Sequence, residues 1–96
     1  MLDNFKIVRT YSAGVFAGYV KEVDGRRYVL EDARRLWFWS GAASLSELAV
    51  KGVSNPDACK FPVAVPRVEL LEVIEVLDVT AEAKKSIDGV PVWSAH

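Results

Sequence analysis

The dipeptide Asp24-Gly25 constrains this chain more than any other feature. It stands between two runs rich in β-branched and aromatic residues, Val15 to Val23 and Arg27 to Glu31. Asp-Gly favours the primed turns whose twist matches that of paired antiparallel strands. The pair therefore predicts a β-hairpin. Gly18 lies inside the first arm, where a glycine weakens a strand and marks a bulge or a sharp bend.

The flanking sequence extends the hairpin into a meander. Phe5 to Thr10 alternates as a strand, and Tyr11-Ser12-Ala13-Gly14 has the small residues and glycine of a turn. After a kink at Asp32-Ala33 the chain continues extended from Arg34 to Trp39. The first forty residues thus predict three or four antiparallel strands.

Beyond Ser40-Gly41 the pattern changes. Ser44-Leu45-Ser46-Glu47 is a capping box, in which the serine hydroxyl caps the amide of Glu47 and the Glu47 side chain reaches back. Leu45, Leu48 and Ala49 follow at helical spacing and Gly52 ends the run, so a short helix is expected over Leu45–Lys51. Val53 to Cys59 reads as a loop. Phe61 to Pro66 is extended, but its two prolines confine it to an edge or a bulge. Arg67 to Val79 carries acids at three-residue intervals, a helical spacing. Its Val, Ile and Leu content and the extended entry set by Pro66 favour a strand, which we adopt. Thr80 caps a second helix, with Glu82 near its start, Lys84 and Lys85 towards its end and Gly89 as its stop. Val90 to Trp93 is a last extended piece. The fold class predicted is α+β: an antiparallel β-meander of four to six strands, able to close partly into a small barrel, with two short helices, all in one domain over residues 1–96.

Composition narrows the function. The chain of 96 residues fits one domain, and its net charge of −1 lacks the basic excess of a dedicated nucleic-acid binder, though local basic clusters stay open. A domain this small has modest stability, so a homo-oligomer is expected. The single cysteine, Cys59, precludes an internal disulfide and suits a reducing, cytoplasmic compartment. The opening Met1 to Lys6 lacks the layout of a secretory signal, and no apolar run reaches the length of a membrane span.

Catalytic sets are missing from the sequence. The one histidine is His96, the last residue, so a histidine-based triad is not expected. Cys59 has no histidine or second cysteine at a useful spacing. Glu31 and Asp32 are adjacent in a strand and point to opposite faces. Gly14-x-x-x-Gly18 has no Lys-Ser or Lys-Thr after it, so it is not a phosphate loop. Glu69, Glu72, Glu75 and Asp78 read as solvent-facing charge. The reading is of a non-enzymatic protein with no cofactor and no metal.

One constellation carries chemistry. In an extended segment Arg35, Trp37 and Trp39 share a face, and arginine beside aromatic rings offers a nucleotide-like ligand a flat surface and a forked phosphate donor. Arg27, across the turn with Arg26, is a further candidate for charge. The same tryptophans also suit the core or a subunit interface, with the arginines solvated. The residues leave both readings open.

Arg9 to Tyr19, Ala33-Arg34-Arg35-Leu36-Trp37, Cys59-Lys60-Phe61-Pro62, Ala83 to Ile87 and Val90 to Trp93 together resemble an uncharacterised family of small tailed-phage and prophage proteins. That resemblance implies a setting rather than a mechanism: a small binder in the host cytoplasm, sequestering a nucleotide-like ligand or blocking a host protein as a counter-defence factor. The alternative is a structural or assembly subunit of a homo-oligomer with no small-molecule ligand. Separately, the Val15 to Trp37 meander resembles the small SH3- or Sm-like barrels.

Overall fold

The glycine of the Asp-Gly pair does turn the chain, one position later than expected. In the computed structural model, which describes residues 4–95, the strands flanking it are β2 (Val15–Asp24) and β3 (Arg27–Arg35). Asp24 pairs with Arg27, so the loop is Gly25-Arg26. Gly25 has φ +61°, and among the described residues Asp32 is the only non-glycine residue with positive φ. A lone left-handed glycine at the first loop position is the type II′ pattern. Met1 to Asp3 and His96, which carried the signal and histidine readings, lie outside the described residues.

Three further strands complete the sheet: β1 (Phe5–Thr10), β4 (Val65–Leu70) and β5 (Val73–Asp78). The spatial order is β4-β3-β2-β1-β5, and every pairing is antiparallel. The expected single strand from Arg67 to Val79 is therefore two strands, broken at Leu71-Glu72. Those two residues join opposite edges of the sheet, which must curl for so short a link to span them. The sheet is nevertheless not closed into the small barrel also considered: no ladder joins β4 to β5, and it stays open along that seam.

Two irregularities bend the middle of the sheet. Opposite Gly18, β3 has the extra residue, Asp32 and Ala33 facing one glycine, with Asp32 at φ +48°. A Cβ on Gly18 would stand 2.9 Å from Ala33 Cα. This is the bulge that the strand glycine and the Asp32-Ala33 kink predicted. Further along, Lys21 is the extra residue on β2.

The concave face is filled by Val8, Phe16, Leu30, Ala33, Leu70 and Val73, which includes a residue from each edge strand. The other face carries Phe5, Ile7 and Ala17 under Leu36, Leu48, Phe61, Val79, Ala83 and Ile87. Helices α1 (Leu45–Lys51) and α2 (Ala81–Asp88) supply part of that cover, and both begin at the expected caps. Glu47 N–H donates to Ser44 Oγ at 3.1 Å, while the Glu47 carboxylate reaches back one residue further than expected, to the Ala43 N–H. Thr80 Oγ1 accepts from Ala83 N–H and donates to Val50 C=O, tying the two helices together. Between them, Pro56–Ala58 forms a 3₁₀ turn inside the expected loop.

Candidate functional site

The site is built where the chain leaves β3. That strand ends at Arg35, four residues short of the extended segment expected to Trp39, but Leu36 to Trp39 remain held as if the sheet continued. Leu36 N–H donates to Val15 C=O at 2.8 Å and its side chain is buried. Trp37 and Phe38 N–H both donate to Lys60 C=O, at 3.2 and 3.3 Å, and Lys60 N–H returns a bond to Phe38 C=O at 2.7 Å. Trp39 packs against the main core. Trp37 is 64 % exposed, which removes it from the core.

The facing wall is the turn between β1 and β2. Thr10, the only buried polar residue among those described, fixes it: Thr10 Oγ1 donates to Gly14 C=O and accepts from Ala13 N–H, both at 2.8 Å. The link between β4 and β5 braces it from outside, since Tyr11 N–H and Ser12 Oγ both donate to Glu72. Gly14 has φ +95°, a conformation that favours glycine.

Between these walls lies a cleft of about 520 Å³, lined by Ser12–Val15 on one side and by Arg35, Leu36, Trp37 and Trp39 on the other. The three residues that alternation placed together are thus brought to one cleft. Arg35 is fixed in it by a bond to Ala13 C=O and by its guanidinium stacking 4.4 Å from the centroid of the Phe16 ring. Among the described residues it makes no ion pair, and a guanidinium has five donors, so most of its capacity faces solvent. The turn at Ser12–Val15 was missed as a site element; its signal was the small-residue run ending in Gly14.

Arg27 does not belong here. It begins β3, at the opposite end from Arg35, and its guanidinium bonds to Glu69 and lies 3.9 Å from Glu22. That bond raises the Arg27 pKa and lowers that of Glu69. The other acids of the series also have partners: Glu75 bonds to Arg9 at 2.7 Å, Asp78 to Lys6, and Glu72 accepts from Ser12. They face solvent as expected, and three of them, Glu69, Glu75 and Asp78, also tie neighbouring strands while Glu72 holds the turn.

Arg34, next to Arg35 in sequence, points the other way. It donates to five carbonyls, those of Phe61, Pro62, Ile87, Val90 and Pro91, at 2.7–3.2 Å. Burial lowers its pKa, and nearby Asp88 acts against that. Its side is a smaller hollow of about 240 Å³, where Lys84 bonds to Asp88 and lies 5.1 Å from the Phe5 ring centroid. Arg34 is a tie between β3, the Phe61-Pro62 segment and the end of α2, with no donor left for a ligand.

A domain of unknown function, DUF6948, matches residues 5–87. The chain belongs to that family. The matched span of the DUF6948 domain contains both walls of the cleft and stops before the extended piece at Val90 to Trp93. No curated protein and no solved structure matches the chain. Among the described residues of the DUF6948 domain, no helix is long and apolar enough to cross a membrane.

Proposed function

We propose that this protein is a non-enzymatic binding protein that takes a planar, anionic ligand of nucleotide type in the cleft of Arg35, Trp37 and Trp39. One observation carries the reading. An exposed indole and a guanidinium with no carboxylate partner among the described residues line the same cleft, the Trp37 backbone bonded to Lys60 C=O and the Arg35 side chain to Ala13 C=O. The indole supplies a face for a base, and the guanidinium supplies donors for a phosphate. The resemblance to tailed-phage proteins supports a setting in the host cytoplasm, where such a binder acts by occupancy on a host signal or protein.

Quenching of tryptophan fluorescence by mononucleotides tests this. Saturable quenching is expected, weakened by Trp37→Ala and made less salt-sensitive by Arg35→Ala. Absence of saturable quenching by every mononucleotide overturns the reading, and so does catalytic turnover of the added nucleotide.

A second reading has its own observation. Trp37 and Phe38 are consecutive, apolar and 64 % and 49 % exposed, as at a contact between subunits. Here the protein is an assembly subunit of a homo-oligomer. Native mass spectrometry separates the two: a co-purifying small molecule supports the binding protein, and an apo oligomer that dissociates on Trp37→Ala supports the subunit.

A further inference from the structure

Three stretches of chain that carry no acid meet on one side of the molecule. Residues 33–46, 58–68 and 89–95 contain no Asp or Glu, although the whole chain has 13. They contain Arg34, Arg35, Lys60, Arg67 and all three tryptophans, although Arg34 spends its donors on carbonyls. Backbone bonds knit them together: Lys60 exchanges bonds with Phe38, and Trp93 N–H donates to Phe61 C=O at 3.1 Å. A whole-chain charge of −1 conceals this segregation.

At the centre of the surface is Lys60. Its ammonium lies 5.9 Å from the centroid of the Phe38 ring and 5.4 Å from that of Trp93. Both rings are about half exposed and Lys60 itself is exposed. Among the described residues neither Lys60 nor Arg35 makes an ion pair. Lys60 with its two rings therefore repeats the chemistry of Arg35 with Trp37. Because Trp37 and Phe38 are consecutive in an extended segment, the two clusters lie on opposite flanks of one exposed ridge.

We infer that the ligand is a single-stranded oligonucleotide, running from the Arg35–Trp37 cleft over this ridge to Phe38, Lys60 and Trp93. The inference rests on the cleft reading above and extends it. A single nucleotide uses one cluster. A partner in which flat faces alternate with anions uses both, and single-stranded nucleic acid has that repeat. A purely apolar partner gains from the rings but not from the exclusion of acids, while a polyanion gains from both. The expectation against nucleic acid came from net charge, which averages this face with the paired charges of the sheet.

The test uses the full chain. Affinities are measured by fluorescence anisotropy for labelled oligothymidylates of two, four and eight nucleotides, with thymidine monophosphate as competitor. The octamer is expected to bind at least about tenfold more tightly than the monophosphate, the gain from roughly one further stacked base. Lys60→Ala and Trp93→Ala should each bring the octamer affinity down towards that of the monophosphate. Lys60→Ala should also reduce the salt slope by about 0.7, one phosphate contact on a single strand. Lys60→Glu, at an exposed side chain, keeps the test valid if Trp93→Ala perturbs the fold, and should abolish the gain with length. An octamer that binds no tighter than the monophosphate overturns the inference and leaves the cleft reading standing. Undiminished octamer binding by both Lys60 variants also overturns it. Binding of neither probe overturns both readings. So does a dimer that Lys60→Glu dissociates in a protein that binds neither, which would assign the surface to a second copy of the chain.

Discussion

The Arg35 guanidinium stacks on the ring of Phe16, 4.4 Å from its centroid, and so the one arginine aimed into the cleft is held by a residue of the concave core. Arg35→Lys keeps the charge but loses the planar stack and the fork. Ligand binding should weaken in Arg35→Lys almost as much as in Arg35→Ala, with melting temperatures close to that of the parent protein. Isothermal titration with a mononucleotide, alongside a melting curve, checks both parts. Full binding by Arg35→Lys would show that charge alone is used.

Trp37→Ala should leave the fold intact. Its ring is mostly in solvent, and exposed substitutions usually change stability by no more than about 0.5 kcal/mol. Loss of a base stack should cost binding about 1–3 kcal/mol. A melting curve of the variant is the check, since a collapsed transition would place Trp37 in a core or an interface.

Arg34→Ala should be far more damaging than Arg35→Ala, although the residues are neighbours. It removes a charged donor from five carbonyls, of which Phe61 and Ile87 keep a backbone donor, and a loss of about 3 kcal/mol or more is expected from bonds to a charged group. Arg34→Lys should rescue little, since an ammonium has three donors and no fork. Urea denaturation of the three variants orders them.

Gly52→Ala should destabilise the junction of the helices. Gly52 has φ +79°, and a Cβ there would lie 2.3 Å from Ser86 Cβ. Backbone strain and overlap together should cost at least about 2 kcal/mol. Adding Ser86→Gly removes the overlap but also the Ser86 Oγ bond to Val53 N–H. The double variant should therefore remain below the parent protein in thermal stability.

The tie between Arg27 and Glu69 sets an acid limb. The hydrogen bond from Arg27, and then its charge, hold the Glu69 pKa below the usual carboxylate value. A depressed folded pKa gives stability that is complete above the unfolded pKa and is lost as pH falls through the folded one. Glu69→Gln should lower stability most near neutral pH, where that contribution is complete, and should flatten the fall of the profile below about pH 4.5. Urea midpoints measured between neutral and acid pH test this.

Local signals made much of the fold legible. Ser44 with Glu47, and Thr80 with Gly89, placed both helices, and Gly18 announced the bulge. The break at Leu71-Glu72 had no such signal, because no glycine, proline or asparagine marks it; the curl of the sheet imposes it. Alternation brought Arg35, Trp37 and Trp39 together because Leu36 to Trp39 stay extended beyond the ladder. It could not show that the second wall comes from Ser12–Val15, some twenty residues earlier. Arg27 was misplaced because proximity across a turn says nothing about the far end of a nine-residue strand. Phe38, Lys60 and Trp93 were passed over one at a time, when their signal was the lack of acids around them.

The position of β1 between β2 and β5 governs the order in which this molecule can assemble. Lys6 meets Asp78, 72 positions later, so the sheet cannot be completed until nearly the whole chain is available. Contacts of such separation require closing a long loop before they repay its entropy, and topologies rich in them fold slowly. A chain emerging from the ribosome can form the β2–β3 hairpin early, but it leaves one edge of β1 open to any other strand until Asp78 has followed. Refolding should accordingly show fast hairpin formation, then a slower step whose rate responds to substitutions in Val73–Asp78.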